Sequence, residues 1–255
     1  MAKHFYGWKR QRADKRDLLF RRIKSVPLVP DLDLRAEQGP VKDQGQLGSC
    51  TANGITEELE AQAIMQGEPI DPLSRLFLYY NERDMEGDTA DDNGAEIRDG
   101  IKSVSALGVC LESEWPYDIA QFAVKPPTQC YIDALKFRAI KYQAVPQDLD
   151  SVKAALGTAR GIVLGIQVYE SFESDAVEQT GIVPMPTSDD SFLGGHCVRL
   201  VGYTDNGING IPEGNFIGMN SWGTGWGLAG FFAIPYAYIT NTNLTGDLWS
   251  ITAVS

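Results

Sequence analysis

The spacing of apolar and polar positions divides the chain into two textures. Ala52, Ile55, Leu59 and Ala63 recur at helical spacing, with Glu57, Glu58, Glu60 and Gln62 on the other faces. That pattern predicts an amphipathic helix beginning at Cys50. Residues 72–81 (PLSRLFLYYN) predict a second helix with its aromatics buried. Residues 94–107 predict a third through Ile97, Ile101 and Val104, closed by Gly108 as a C-terminal cap. Beyond Pro126 and Pro127 the period shortens. Residues 137–145 alternate like a strand, and Asp150-Ser151 caps a short helix through Ala159. The runs 162–169, 196–203, 215–219 and 231–234 are β-rich and separated by Gly, Asn and Pro. Val29 and Pro30 open an extended segment that reaches Arg35, and no internal repeat is visible. The expected architecture is α+β in three parts: residues 1–28 as an extension without a clear period, 29–126 as a mainly helical half, and 127–255 as a β-sheet or open-barrel half. Two such halves, each carrying a reactive group, build a cleft between them.

Composition and charge narrow the class. At 255 residues, 43% apolar and 22% charged, the chain is an ordinary globular one, with room for one large domain or two smaller ones sharing a cleft. No apolar run approaches a membrane span, so no membrane partner is expected. The basic N-terminus has no apolar core behind it, unlike a secretory signal. The expectation is a cytoplasmic location, with export after removal of a signal left open. Residues 1–24 hold nine Lys/Arg against Asp14 and Asp17, a net +7, which leaves −19 for residues 25–255 of a chain totalling −12. Such a body repels phosphate, so nucleic acid is not an expected partner. The extension's natural partner is its own body: opposite charge attracts it, and Phe5, Tyr6, Trp8, Leu18, Leu19 and Phe20 give it surface to bury. It either folds over the cleft and restricts it, or packs on the back as a structural tail.

Cys50, Cys110, Cys130 and Cys197 are too few for a disulfide scaffold and form no C-x-x-C pair. A bridge between Cys110 and Cys130 is left open, although a cytoplasmic location argues against it. The acidic run 84–93 lacks the ligand pattern of a calcium-binding loop and is expected to be solvated. No metal or cofactor is expected.

The chemistry centres on Cys50. The turn Gly45-Gln46-Leu47-Gly48-Ser49 delivers it into the first turn of a helix, where unpaired N–H groups and the macrodipole favour thiolate over thiol. Taken alone, Cys50 is equally well an ordinary buried small residue. A thiol nucleophile needs a base, and the histidines are His4 and His196. His4 lies in the extension, where nothing is expected to hold it. His196 follows Gly194-Gly195 and opens a β run. Asn220, at the end of another strand, can accept from one ring N–H and leave the other nitrogen facing sulfur, with Trp222 and Trp226 shielding that bond from water.

In this order, Gly-Ser-Cys, Gly-His before a β run, and Asn-Ser-Trp-Gly-Thr-Gly-Trp-Gly resemble the papain family of cysteine peptidases. His196 lies 146 residues after Cys50, and Asn220 170 residues after it. The family spacing is roughly 130–150, so the Asn falls later, as insertions would make it. Gly7, Trp8, Arg16 and Asp17, with SRLFLYYNERDMEG and NGAEIRDGI, look most like the bacterial and viral branch. The resemblance implies the papain-like fold and peptide hydrolysis. Cys50 would be the nucleophile, His196 its proton partner in a thiolate–imidazolium pair, and Asn220 the orienting residue. Gln44 would join the Cys50 N–H in the oxyanion hole. Gly94 and Trp222 are the candidate substrate-binding residues, Gly94 as the glycine that pairs with extended substrate backbone. Endopeptidase action follows because no second His-bearing loop is available to close the cleft. Departures are Leu47 where the family has a disulfide-forming Cys, Thr51 where it has Trp, and Cys197 directly after His196, expected to be structural. Acyl transfer to an amine by the same residues, and a non-catalytic module of the same shape, are the alternatives.

Overall fold

The computed structural model describes residues 4–254 apart from Lys24 and Pro69, so Lys3 and Lys24 of the basic set lie outside the described residues. In chain order the elements are β1 (Trp8–Lys9), β2 (Asp31–Asp33), α1 (Cys50–Met65), α2 (Arg75–Glu86), β3 (Ala95–Glu96), α3 (Ile97–Leu107), α4 (Thr128–Ala134) and β4 (Ala139–Ala144). There follow α5 (Leu149–Ala159), β5 (Ile162–Tyr169), α6 (Asp175–Thr180), β6 (Phe192–Thr204), β7 (Asn215–Met219), β8 (Phe231–Pro235), α7 (Tyr236–Thr240) and β9 (Thr245–Val254). One antiparallel sheet runs β4-β9-β5-β6-β7-β8, with β2 also on β6.

The period of two in β5 and β6 separates two cores. Ile162, Leu164, Ile166, Val198 and Leu200 face a core that includes α5 and the tryptophans Trp222 and Trp226. Val163 and Cys197 face the opposite core, built from α1, α2 and α3. Helix α1 lies between that sheet face and the other two helices. The expected polar faces of α1 are therefore buried: Glu57, Glu58, Glu60 and Gln62 are all inside. Partners make this tolerable. Arg199 binds Glu58 at 2.6 and 3.1 Å, Lys42 binds Glu60 at 2.5 Å, and the Lys42 N–H reaches Glu57 at 3.2 Å.

Local chemistry sets the helix ends. The Ser74 hydroxyl accepts the Phe77 N–H at 3.1 Å and starts α2, which runs past the expected residue 81 to a left-handed Gly87. Gly108 caps α3 as expected. For α5 the cap is Asp148, whose carboxylate accepts the Ser151 N–H at 2.9 Å, not Asp150-Ser151; Asp150 instead pairs with Arg22.

The two halves interlock more than a boundary at 126/127 suggests. β5 pairs with β6 as far as Leu200, and beyond that point β2, from the helical half, takes over the pairing through Leu32 and Tyr203. Cys130 and Ala134 of α4, Ala139 of β4, and Trp249 and Ile251 of β9 belong to the helical core. Strand β9 escapes the periodicity reading because its register shifts against β5 between Val163/Trp249 and Gly165/Gly246. That shift is a bulge in which Asp247 takes φ +57°.

Candidate active site

Cys50 opens α1 and is fully buried. The loop ahead of it is fixed from several sides. The Gln44 N–H donates to Ser221 O at 2.9 Å, and the Tyr117 hydroxyl donates to Gln44 O at 2.9 Å. The Gly48 N–H meets both oxygens of Asp92 at 3.1 and 3.0 Å, and the Tyr79 hydroxyl bonds the same carboxylate. Asp92 thus joins the 84–93 run to the nucleophile loop, where the sequence suggests a merely solvated segment. Leu47 fills the helical core in place of a disulfide.

On the facing side, His196 Nε2 lies 2.8 Å from Asn220 Oδ1. The same oxygen accepts the Ser221 N–H at 2.9 Å. An amide nitrogen there could not accept it, so the Asn220 amide is oriented by its neighbour's backbone. It follows that His196 carries its proton on Nε2 and that Nδ1 is a bare lone pair. Nδ1 has no hydrogen-bond partner among the described residues. Trp222 stacks on the imidazole at 4.8 Å, and Trp226 meets Trp222 edge-on at 5.2 Å.

Residues 4–9 lie across these groups. The N–H groups of Cys197 (3.3 Å) and Gly7 point at the Cys50 sulfur. Phe5 O accepts the Gln44 Nε2–H at 3.1 Å, while Ser221 Oγ holds Gln44 Oε1 at 2.7 Å. Tyr6 meets His196 edge-on, and its hydroxyl bonds Glu173. Gly7 O accepts the Ala95 N–H at 2.7 Å, and β1 continues this as a parallel pair with β3. The His4 ring, expected to be unheld, stacks on Trp222 at 3.8 Å and 6°. Residues 18–20 pair further on with Ala144 of β4.

Burial under this segment changes the acid–base state. Desolvation pushes the Cys50 thiol up to about 12, against the pull of the two N–H groups. Desolvation also lowers His196 to about 4, against its bond to Asn220. Both shifts run against separating charge between Cys50 and His196 while the two groups are buried.

Cys50, Gln44, His196, Asn220 and Trp222 come together as the motifs suggest. Gly94 is adjacent in a different way: its N–H donates to the Tyr79 hydroxyl at 3.2 Å, and the bond to extended chain comes from Ala95. Gly94 (φ +73°) contributes close approach, since a side chain there would overlap Gly7 O. Cys197 packs on Gly54 of α1 and offers the site only its N–H. Cys110 and Cys130 are buried free thiols. Among the described residues no His/Cys/Asp/Glu group could hold a metal, and no helix is long and apolar enough to cross a membrane. Tyr6, Gly7, Glu173 and Asp92 were not legible as site residues. The aromatic pair flanking Gly7 in an otherwise basic segment was the one available signal.

Comparison with known proteins is consistent with this geometry. Residues 28–247 match the family model described as papain family cysteine protease. An uncharacterized peptidase C1-like protein of Acanthamoeba polyphaga mimivirus is 37% identical over 98% of this chain and 87% of its own length. Cysteine proteinase 3 of Entamoeba histolytica is 28% identical over 83% of this chain and 64% of its own length. Among solved structures, xylellain, a cysteine protease from Xylella fastidiosa, superposes with a TM-score of 0.90 at 40% identity, covering 99% of this chain and 97% of that one.

Proposed function

The chain belongs to the papain family of cysteine proteases, and on that premise we propose that Cys50, His196 and Asn220 carry out peptide hydrolysis, with residues 4–9 holding the cleft shut. Once the segment lifts, water returns to the sulfur and the imidazole, and the charged pair is no longer penalised. His196 Nδ1 takes the Cys50 proton, and the thiolate attacks the substrate carbonyl carbon. Gln44 Nε2, now on Phe5 O, is free to bind the developing oxyanion. The tetrahedral carbon collapses, the amine leaves with the proton from His196, and water hydrolyses the thioester with His196 as base. An endopeptidase is the reading we favour, since residues 5–9 of the extension run through the site as continuous chain, from Phe5 on Gln44 to Lys9 on Glu96.

The observation that carries the mechanism is the Asn220 amide, oriented by Ser221, which leaves Nδ1 of His196 as the base. The restriction rests on the contacts of Phe5, Tyr6 and Gly7. Ion pairs contribute less: Lys9–Glu86 (2.8 Å) is partly exposed, and such pairs are worth about 0–1 kcal/mol. Intact-mass labelling with an epoxysuccinyl thiol reagent tests both parts. A single adduct on Cys50, faster in full-length Tyr6→Ala than in the parent and absent in His196→Ala, is the expected result. No adduct in any form would leave a non-catalytic module of this shape. Adducts at equal rates with and without Tyr6 would remove the restriction.

A further inference from the structure

Gln44 is held at both ends of its side-chain amide. The Ser221 hydroxyl donates to Oε1 at 2.7 Å, and Nε2 donates to Phe5 O at 3.1 Å and to Leu47 O at 2.9 Å. The bond to Phe5 ends when the extension lifts. The bond to Leu47 lies within the nucleophile loop, so it keeps the donor end of the amide in place in an open cleft. Leu47 O is one end of a peptide whose other end is held as well. The Gly48 N–H donates to both oxygens of Asp92, at 3.1 and 3.0 Å. A peptide unit is planar, so fixing its N–H fixes the direction of its C=O. Asp92 thereby reaches the Gln44 amide through one peptide and one hydrogen bond.

Asp92 is itself firmly seated. The Tyr79 hydroxyl donates to its carboxylate and accepts the Gly94 N–H at 3.2 Å. Arg83 lies over the Tyr79 ring at 4.1 Å and donates to Thr89 O at 2.9 Å and Asp91 O at 3.1 Å, which fixes the approach of the chain to Asp92. Gly48 allows the contact from the other side. A Cβ there would stand 3.0 Å from Asp92 Oδ1 and 3.2 Å from Tyr6 O, so only a bare Cα admits both the carboxylate and the extension.

We propose that Asp92 is a positioning residue for peptide hydrolysis: through the Leu47–Gly48 peptide it holds Gln44 Nε2 where the oxyanion develops, the place Phe5 O now takes. This deepens the hydrolase reading and rests on it. A carboxylate suits the task because its hydrogen bonds are roughly twice as strong as those between neutral groups. Without it the Leu47–Gly48 peptide can turn, and Gln44 Nε2 loses the acceptor that aims it. Chain binding through the Ala95 N–H, now on Gly7 O, does not pass through Leu47 O. The loss therefore falls on kcat and spares KM.

The test uses the full-length Tyr6→Ala chain and a fluorogenic peptide. Added Asp92→Ala should lower kcat by roughly 10- to 100-fold, the range of a hydrogen bond to a charged group, with KM moving less than about threefold. In a Gln44→Ala chain the same substitution should lower kcat by less than about threefold, because two residues that act through one bond are not additive. Asp92→Asn keeps an acceptor in place and should restore kcat to within about fivefold of the parent. Asp92→Glu keeps the charge but moves the oxygens by one methylene, and it should not restore kcat. Thermal midpoints show which chains are folded; should Asp92→Ala not fold, Asp92→Glu reads the same loss. An Asp92→Ala kcat within about threefold of the parent overturns the proposal, as does an equal loss with and without Gln44. A peptide aldehyde separates this role from the hydrolase reading. The Cys50 sulfur adds to its carbonyl carbon and the thiol proton ends on the oxygen, so the hole is read without turnover. Aldehyde affinity that falls with Asp92→Ala in a chain that cleaves no peptide would strike hydrolysis and leave the positioning role standing. Affinity unmoved by Asp92→Ala would strike the positioning role alone, and no binding by the Tyr6→Ala chain itself would strike both.

Discussion

Gly7 is where the covered cleft is most sensitive to a single methyl group. A Cβ built there would fall inside the carbonyl of Gly48, with Gly48 Cα at 3.0 Å, so backbone meets backbone and no side chain can swing aside. Relief requires the two chains to part by well over an ångström, which breaks the Ala95 N–H bond to Gly7 O (2.7 Å) and strains that of Gln44 to Phe5 O (3.1 Å). Overpacking costs about 1–3 kcal/mol and each lost hydrogen bond about 1. Gly7→Ala should thus destabilise the covered state by about 2–4 kcal/mol, raising the open fraction about 30- to 800-fold until the open form dominates. The assay is the second-order rate of Cys50 alkylation in the full-length protein. Gly157→Ala is the control, because nothing lies within 4 Å of a methyl group there and its helix gains about 0.5–1 kcal/mol. A Gly7→Ala rate within about twofold of the parent, in a folded protein, would refute the reasoning, since the covered state would then not limit access to sulfur.

Asn220→Ala in the Gly7→Ala background should lower kcat by roughly 5- to 150-fold, the worth of about 1–3 kcal/mol of lost orientation, with KM little moved; steady-state kinetics on a fluorogenic peptide reads it. Arg199→Met should cost about 3–5 kcal/mol in urea unfolding because it strands the buried Glu58 carboxylate, whereas Arg199→Met with Glu58→Leu should cost clearly less. Burial raises Glu57 from 4.5 to about 7 in the fold, against the opposing pull of Arg199 and Lys42. Its protonated form therefore supports the fold below pH 4.5, and that support is lost as pH rises to about 7, amounting to about 3 kcal/mol. Glu57→Gln should flatten the stability profile over that window; denaturant midpoints at pH 5 and pH 8 that shift equally in both proteins would contradict it.

The groups that meet around Cys50 are legible in the sequence because each is marked by a few neighbouring residues. A glycine-rich turn before a helix, a Gly-Gly-His step and an Asn-Ser-Trp run are each legible within a few residues, although β6 begins at Phe192, four residues ahead of His196 where the sequence reading starts it. The orientation of Asn220, by contrast, depends on the backbone of Ser221, and no motif expresses that bond. The glutamates of α1 read as a solvent face because periodicity records where polar residues stand, not what covers them; Arg199 and Lys42, far away in sequence, make their burial possible. β9 is not legible in the sequence because the bulge at Asp247 breaks the alternation by which strands are recognised. His4 and Asp92 are illegible for the same kind of reason: each is held by a partner, Trp222 or Gly48, that only the fold brings near.

If residues 4–9 restrict the cleft as proposed, the tethered segment would compete with every substrate at a local concentration that dilution cannot change. If the open form is a fraction f of the population, each ligand binds more weakly by the same factor 1/f. Absolute affinities measured on the intact chain would thus describe the tether as much as the cleft, whereas ratios between ligands would describe the cleft alone. An inhibitor that looks weak on the full-length protein and one that looks strong would keep their order after any event that loosens Tyr6 or Trp8, with both gaining by the same multiple.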